Sequence, residues 1–176
     1  MANNDLLEQY RANRKITDVK FLKLVRSPFL FNLFLMAKLP MGFIARLKAK
    51  SVTPDACEIS VPYRWINQNP FSSTYFAVLS MAAEMSTGML ALMATQDSKP
   101  SVSMLVTHLE ADFIKKATGI TTFTCTEGKE INAMVEKAIL TGEPQSITTT
   151  SVGTSASGEV EARFKIEWSF RMRKQS

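Results

Sequence analysis

The sequence predicts an α+β fold: a curved antiparallel sheet wrapped around one long buried helix, with an N-terminal helical extension. Three observations carry this. Ser72 to Ala94, SSTYFAVLSMAAEMSTGMLALMA, is apolar or small on nearly every side of a helix, which marks a helix enclosed by protein. Alternating segments follow it; in the last, Val160, Ala162, Phe164, Ile166, Trp168, Phe170 and Met172 share one strand face against Glu161, Arg163, Lys165, Glu167, Ser169 and Arg171. The strands do not alternate with helices in the manner of a parallel sheet.

Taken in order, residues 1–16 are polar and predict a loose or fraying helix. Thr17-Asp18 reads as the cap of a short helix with Phe21, Leu22, Leu24 and Val25 on one side. Ser27-Pro28 ends it and starts a second helix to Leu39, intensely apolar yet too short to span a bilayer. It reads as a lid over an acyl pocket, as a membrane-surface helix, or as a helix docked on the core or on a partner subunit. Pro40-Met41-Gly42 reads as a turn, and Ala45 to Tyr63 as two strands joined near Pro54-Asp55. A polar linker, Arg64 to Asn69, leads to the central helix, with Ser72 or Ser73 as its expected N-cap. Ser101 to Lys116 predicts a long strand with His108 on the face of Val106 and Met104. Ile120 to Thr126 predicts another. Glu130 to Leu140 is an amphipathic helix stopped by Gly142, and Ile147 to Thr154 with Glu159 to Arg173 form a hairpin.

At 176 residues this is one domain with an extension, divided as 1–39 and 40–176. The net charge of +5 is uneven: residues 1–50 hold ten Lys/Arg and three Asp/Glu. That excess suits an anionic ligand or a membrane surface, and peripheral membrane contact through residues 18–39 is one expectation. Nucleic acid is not expected, since no zinc spacing, helix-turn-helix pattern or aromatic-basic RNA motif is visible. Cys57 and Cys125 are expected to be buried, reduced thiols. The opening residues, MANNDLLEQYRANRK, carry no apolar stretch before a cleavage site, so a cytoplasmic location is expected. A membrane span at 72–94 is not, because Ser80, Glu84, Ser86, Thr87 and Gly88 interrupt the run.

Glu84 is the one charge inside the central helix. Buried and ionised, it needs a partner, water or a proton. Its structural alternative is a carboxylate bonded to Ser80, Thr87 or a partner-chain hydroxyl. Asn67 and Asn69 read equally well as loop and capping residues. His108 suits a core or rim position, and Ser73 lacks an evident base for nucleophilic work. No grouping has metal-ligand spacing, so no metal is expected.

Asn67, then Asn69-Pro70-Phe71, Ser73, Tyr75-Phe76, Met81-Ala82-Ala83-Glu84 and Ser86-Thr87-Gly88 resemble the helix segment of the hotdog-fold PaaI-like thioesterase superfamily, in particular its domain-of-unknown-function branch. Phe113, Lys115-Lys116-Ala117 and Gly119 resemble the strand-end segment that follows. The likeness covers roughly residues 40–173. It implies an acyl-thioester hydrolase acting on coenzyme A or acyl-carrier-protein thioesters. Glu84 matches the helix carboxylate, Asn67 or Asn69 the preceding Asn, and Tyr75-Phe76-Ala77 stands where characterised relatives carry HGG. Ser73, Tyr75 and Phe76 would line the substrate site; Arg64, Lys115 and Lys116 would meet the phosphates of coenzyme A, or stand simply as solvated strand-end and loop charges. No cofactor is implied beyond coenzyme A as part of the substrate. The resemblance further implies a homodimer, or a dimer of dimers, in which one chain's carboxylate meets the other's helix start. The alternative is a non-catalytic hotdog module that binds acyl-CoA or fatty acyl chains.

Overall fold

The computed structural model describes residues 2–173. Six strands form one antiparallel sheet in the order β1-β2-β4-β5-β6-β3, with β1 (Lys48–Val52) and β3 (Val102–Phe113) at its edges. Between them lie β2 (Cys57–Pro62), β4 (Ile120–Cys125), β5 (Gln145–Thr154) and β6 (Val160–Met172). The central helix α4 (Phe76–Thr95) packs across the sheet, with most of its residues buried. By length and composition it could cross a membrane, but most of it is covered by protein, as befits a core helix. Helix α5 (Gly128–Thr141) packs beside it and ends on Gly142, whose φ of 74° favours a residue without Cβ.

The core follows the strand alternation. Ala162, Phe164, Ile166, Trp168 and Phe170 point inward from β6. Phe164 meets Phe113 and Phe123 edge-on, both at a centroid distance of 5.6 Å, an arrangement favoured by the ring quadrupoles. Cys57 and Cys125 are free, buried and opposite one another across β2 and β4; burial pushes both thiols up.

Four sequence expectations change. Residues 2–26 form one continuous helix, α1 (Ala2–Arg26), rather than a loose segment and a capped short helix. Thr17 Oγ1 bonds back to the Arg14 carbonyl and Asp18 pairs with Arg14, so both act within the helix. Polar α1 is held by a few long-range contacts. Tyr10 is buried with Oη 2.9 Å from the Ala94 carbonyl and from Asn132 Oδ1, and Arg11 pairs with Glu136 at 2.7 Å. Second, Pro40–Ile44 is a short helix, α3, following α2 (Pro28–Lys38). Third, Tyr75, not Ser72 or Ser73, holds the N-cap position of α4, without a side-chain cap. Fourth, the β3 register shifts between Val106 and His108. That bulge reverses the alternation, so His108 lies exposed opposite Glu167 instead of joining Val106 and Met104.

Candidate functional site

The loop before α4 is built by asparagines. A 3₁₀ turn spans Trp65–Asn67. Asn67 is buried; its Nδ2 donates to the Ala45 and Pro62 carbonyls, each at 2.9 Å, and its own carbonyl accepts from Tyr75 N–H at 2.7 Å. It therefore fixes the start of α4 against the ends of α3 and β2. Asn69 Oδ1 accepts from the backbone N–H of Phe71 and Ser73, a side-chain turn of the kind Asn favours, and Nδ2 donates to Ser73 Oγ at 3.1 Å. Thr74 N–H and Oγ1 both donate to the Ala117 carbonyl, which draws the loop onto the segment after β3.

The result is a pocket of about 300 Å³ lined by Asn69, Ser73, Phe76, Phe113, Lys115 and Lys116 among others. Five residues proposed from sequence thus come together at the helix start. Val78 and Leu79 N–H donate to the Tyr75 carbonyl; the Phe76 and Ala77 N–H groups have no carbonyl one turn earlier in the helix to accept them. They lie at the positive end of the α4 dipole. Lys115 Nζ pairs with Glu159 at 2.6 Å, and Lys116 Nζ bonds to the Phe71 carbonyl at 3.3 Å. Tyr75 stands exposed beside the pocket, its ring edge-on to Phe76 at 4.8 Å, and Phe76 in turn reaches Phe113 at 6.2 Å.

Arg64 is elsewhere. It lines a separate opening of about 640 Å³ with Arg46, Lys48, Phe43, Ile44 and Ile66. The three cations paired by the sequence reading therefore divide between two places.

Glu84 lies eight residues after Phe76, about 12 Å along the helix axis. It lines a third, apolar pocket of about 210 Å³ with Lys38, Met41, Gly42, Met81 and Met85. Burial alone pushes its carboxyl above the ordinary value. Neither expected hydroxyl serves the carboxylate: Ser80 Oγ bonds to the Phe76 carbonyl, and Thr87 Oγ1 to the Glu84 backbone carbonyl. Thr87 Oγ1 also accepts from Trp168 Nε1 at 2.9 Å. This couples the Glu84 backbone to the core. Gly88 provides room for the carboxylate, since a Cβ there would lie 3.0 Å from Glu84 Oε1. Ala77, Ser80, Met81 and Glu84 are only half-buried, and their spacing places them on one open stripe of α4. Sequence reasoning missed Trp168 and Lys38 as neighbours of this site. Gly88 and Thr87 were visible among the residues that interrupt the apolar run; nothing local ties Lys38 or Trp168 to Glu84. Among the described residues no group of three His, Cys, Asp or Glu is arranged to hold a metal.

The family described as Domain of unknown function (DUF4442) matches residues 28–170. The chain belongs to that family. No curated protein matches it. Among solved structures, this DUF4442 member is similar to a Pseudomonas aeruginosa protein of unknown function, called a "probable thioesterase". The two share 19% identity and a TM-score of 0.71 over 84% of this chain and 97% of the other. A Chlorobaculum tepidum protein of unknown function matches at 16% identity and TM-score 0.68, covering 84% and 98%. A Haemophilus influenzae thioesterase matches at 10% and 0.60, covering 85% and 94%. At these identities the likeness establishes the fold, and it is the hotdog fold: α4 is the enclosed helix and the open six-stranded sheet is its wrap.

Proposed function

We propose that this DUF4442 member hydrolyses acyl thioesters of coenzyme A or an acyl-carrier protein at sites shared between two copies of the chain. The observation that carries the reading is the open stripe on α4. It leaves a proton-binding carboxylate, Glu84, half-buried beside an apolar pocket on a helix whose N-terminus adjoins a second pocket. The thioesterase names of proteins with this fold support it.

At about 1.5 Å of rise per residue, the roughly 12 Å from Phe76 to Glu84 within one chain exceeds the reach of one thioester carbonyl. Two α4 helices lying antiparallel along their open stripes would bring one Glu84 to the other's helix start. The exposed Leu105, Leu109, Phe113 and Ile114 on and after the edge strand β3, with Tyr75 and Phe76, are apolar surface suited to such pairing. The thioester carbonyl would accept from the Phe76 and Ala77 N–H groups. Glu84, made more basic by burial, would take a proton from water as the water oxygen bonds to the carbonyl carbon. Collapse of that adduct breaks the carbon–sulfur bond, the thiolate takes the proton, and acid and thiol leave.

Phe76 favours a second reading. Its side chain lines the pocket where a glycine would leave the backbone open, which suits a module that holds an acyl chain without cleaving it. Hydrolysis of short, medium, long and aromatic acyl-CoAs separates the two. Turnover abolished by Glu84→Gln supports hydrolysis. Binding of the same panel without turnover supports the module, and a monomer at assay concentration refutes shared sites.

A further inference from the structure

We propose that the face formed by α2, α3 and the Trp65–Asn67 turn docks onto an anionic phospholipid surface. The expectation from sequence placed membrane contact on residues 18–39, but Phe21 and Val25 of α1 are buried in the core. The face keeps the α2 part of that range and continues through α3 to the Trp65–Asn67 turn. Helix α2 is apolar on two sides: Phe31 and Leu35 face the protein, while Phe29, Leu33 and Met36, at four- and three-residue spacing, are exposed. Phe43 and Ile44 at the end of α3 and Ile66 on the turn extend this surface, and Trp65 beside them is 83% exposed. Asn32 of α2 lines the same opening as Phe43, Ile44 and Ile66, so these elements share one side of the molecule. Exposed apolar side chains gathered on one side of a protein mark an interaction surface.

Charge selects the occupant. Arg46, Lys48 and Arg64 line that opening, and no carboxylate does. Between Asp18 and Asp55 the chain carries seven Lys/Arg and no Asp or Glu. An apolar helix set among cations matches the headgroup boundary of a negatively charged bilayer, where the aromatic rings enter the interface and the cations meet the phosphates. At eleven residues α2 is too short to span. The protein would therefore lie on the membrane rather than cross it.

The test uses the full chain with two kinds of vesicle: phosphatidylcholine alone, and phosphatidylcholine carrying about 30% phosphatidylglycerol. Trp168 is 3% exposed, so a change in tryptophan emission reports Trp65. The expected result is cosedimentation and a blue shift with the anionic vesicles only, both weakening as salt rises from about 0.1 to 0.5 M. Arg46→Gln/Lys48→Gln should bind roughly thirtyfold more weakly. Phe29→Ser/Leu33→Ser should lose at least about tenfold while circular dichroism stays unchanged. Trp65→Phe should remove the optical signal but leave cosedimentation. Equal binding to neutral vesicles, or none to either, overturns the proposal. So does a change of oligomeric state in Phe29→Ser/Leu33→Ser without a change in vesicle binding, which would assign the face to a second copy of the chain.

Discussion

Replacing Gly88 with alanine puts one methyl group between the carboxylate of Glu84 and the ring of Trp168. The new Cβ would stand 3.0 Å from Glu84 Oε1 and 3.2 and 3.3 Å from Trp168 Cζ2 and Cη2, closer than van der Waals contact allows. The two neighbours differ in how far they can yield. Trp168 is buried and anchored through Nε1 to Thr87, whereas the Glu84 side chain is half-buried beside an open pocket. The carboxylate should therefore move and the ring should stay. Overpacking costs about 1–3 kcal/mol, and exchanging Gly for Ala inside a helix returns about 1 kcal/mol. The net loss is about 0–2 kcal/mol. For a chain of this size that lowers the thermal midpoint by about 0–8 °C, which leaves the protein folded for assay. Activity should fall much further, since displacing a reacting group by about 1 Å can cost 100-fold. Thermal unfolding and acyl-CoA hydrolysis measured on the same preparations give both numbers. Wild-type turnover in a Gly88→Ala protein whose midpoint has dropped would refute the assignment of Glu84 as the proton acceptor.

Burial raises the Glu84 carboxyl above 4.5, so the folded protein holds that proton more tightly than the unfolded chain. The destabilisation is absent below the unfolded value and complete above the folded one; Glu84→Gln should thus melt higher than wild type at about pH 8 and equally at about pH 3.5, as read by calorimetry. Gly128→Ala would drive a Cβ into the Pro54 carbonyl and to 2.9 Å from Asp55 Cα, backbone atoms that cannot rotate away. A loss of about 3 kcal/mol or more in urea unfolding is expected. Tyr10→Phe removes the hydroxyl between Ala94 and Asn132 and should cost about 1–2 kcal/mol, seen as a lower midpoint in chemical denaturation with α4 and α5 unchanged in helicity.

The sheet and the central helix were legible because burial writes itself into spacing. Both faces of β6 and nearly every side of α4 carry their environment in the residue type. The helix start was legible as a set of residues but not as a geometry. Ser73 has the chemistry of an N-cap, yet Asn69 captures its N–H and hydroxyl first, so the cap falls to Tyr75. The β3 bulge has no local signature either: Thr107 looks like any strand residue, and the shift that turns His108 outward appears only in its pairing with β6. In α1 the polar sequence conceals a docked helix. Its hold depends on Phe21 and Val25 entering the core and on Tyr10 and Arg11 meeting partners on α4 and α5 more than 80 residues away. Asn67 read both as a match to the family's Asn and as a loop residue; its side-chain nitrogen donates to two backbone carbonyls, which makes it the residue that positions the loop.

The distance in sequence between Tyr10 and Asn132 also bears on how the chain is made. Synthesis at about 5–20 residues per second leaves the first helix without its far-side counterpart for on the order of ten seconds. During that interval Phe31 and Leu35 of α2 have their neighbours α1 and α3, but not yet the rest of the core, to lie against. Slowing translation would lengthen that interval.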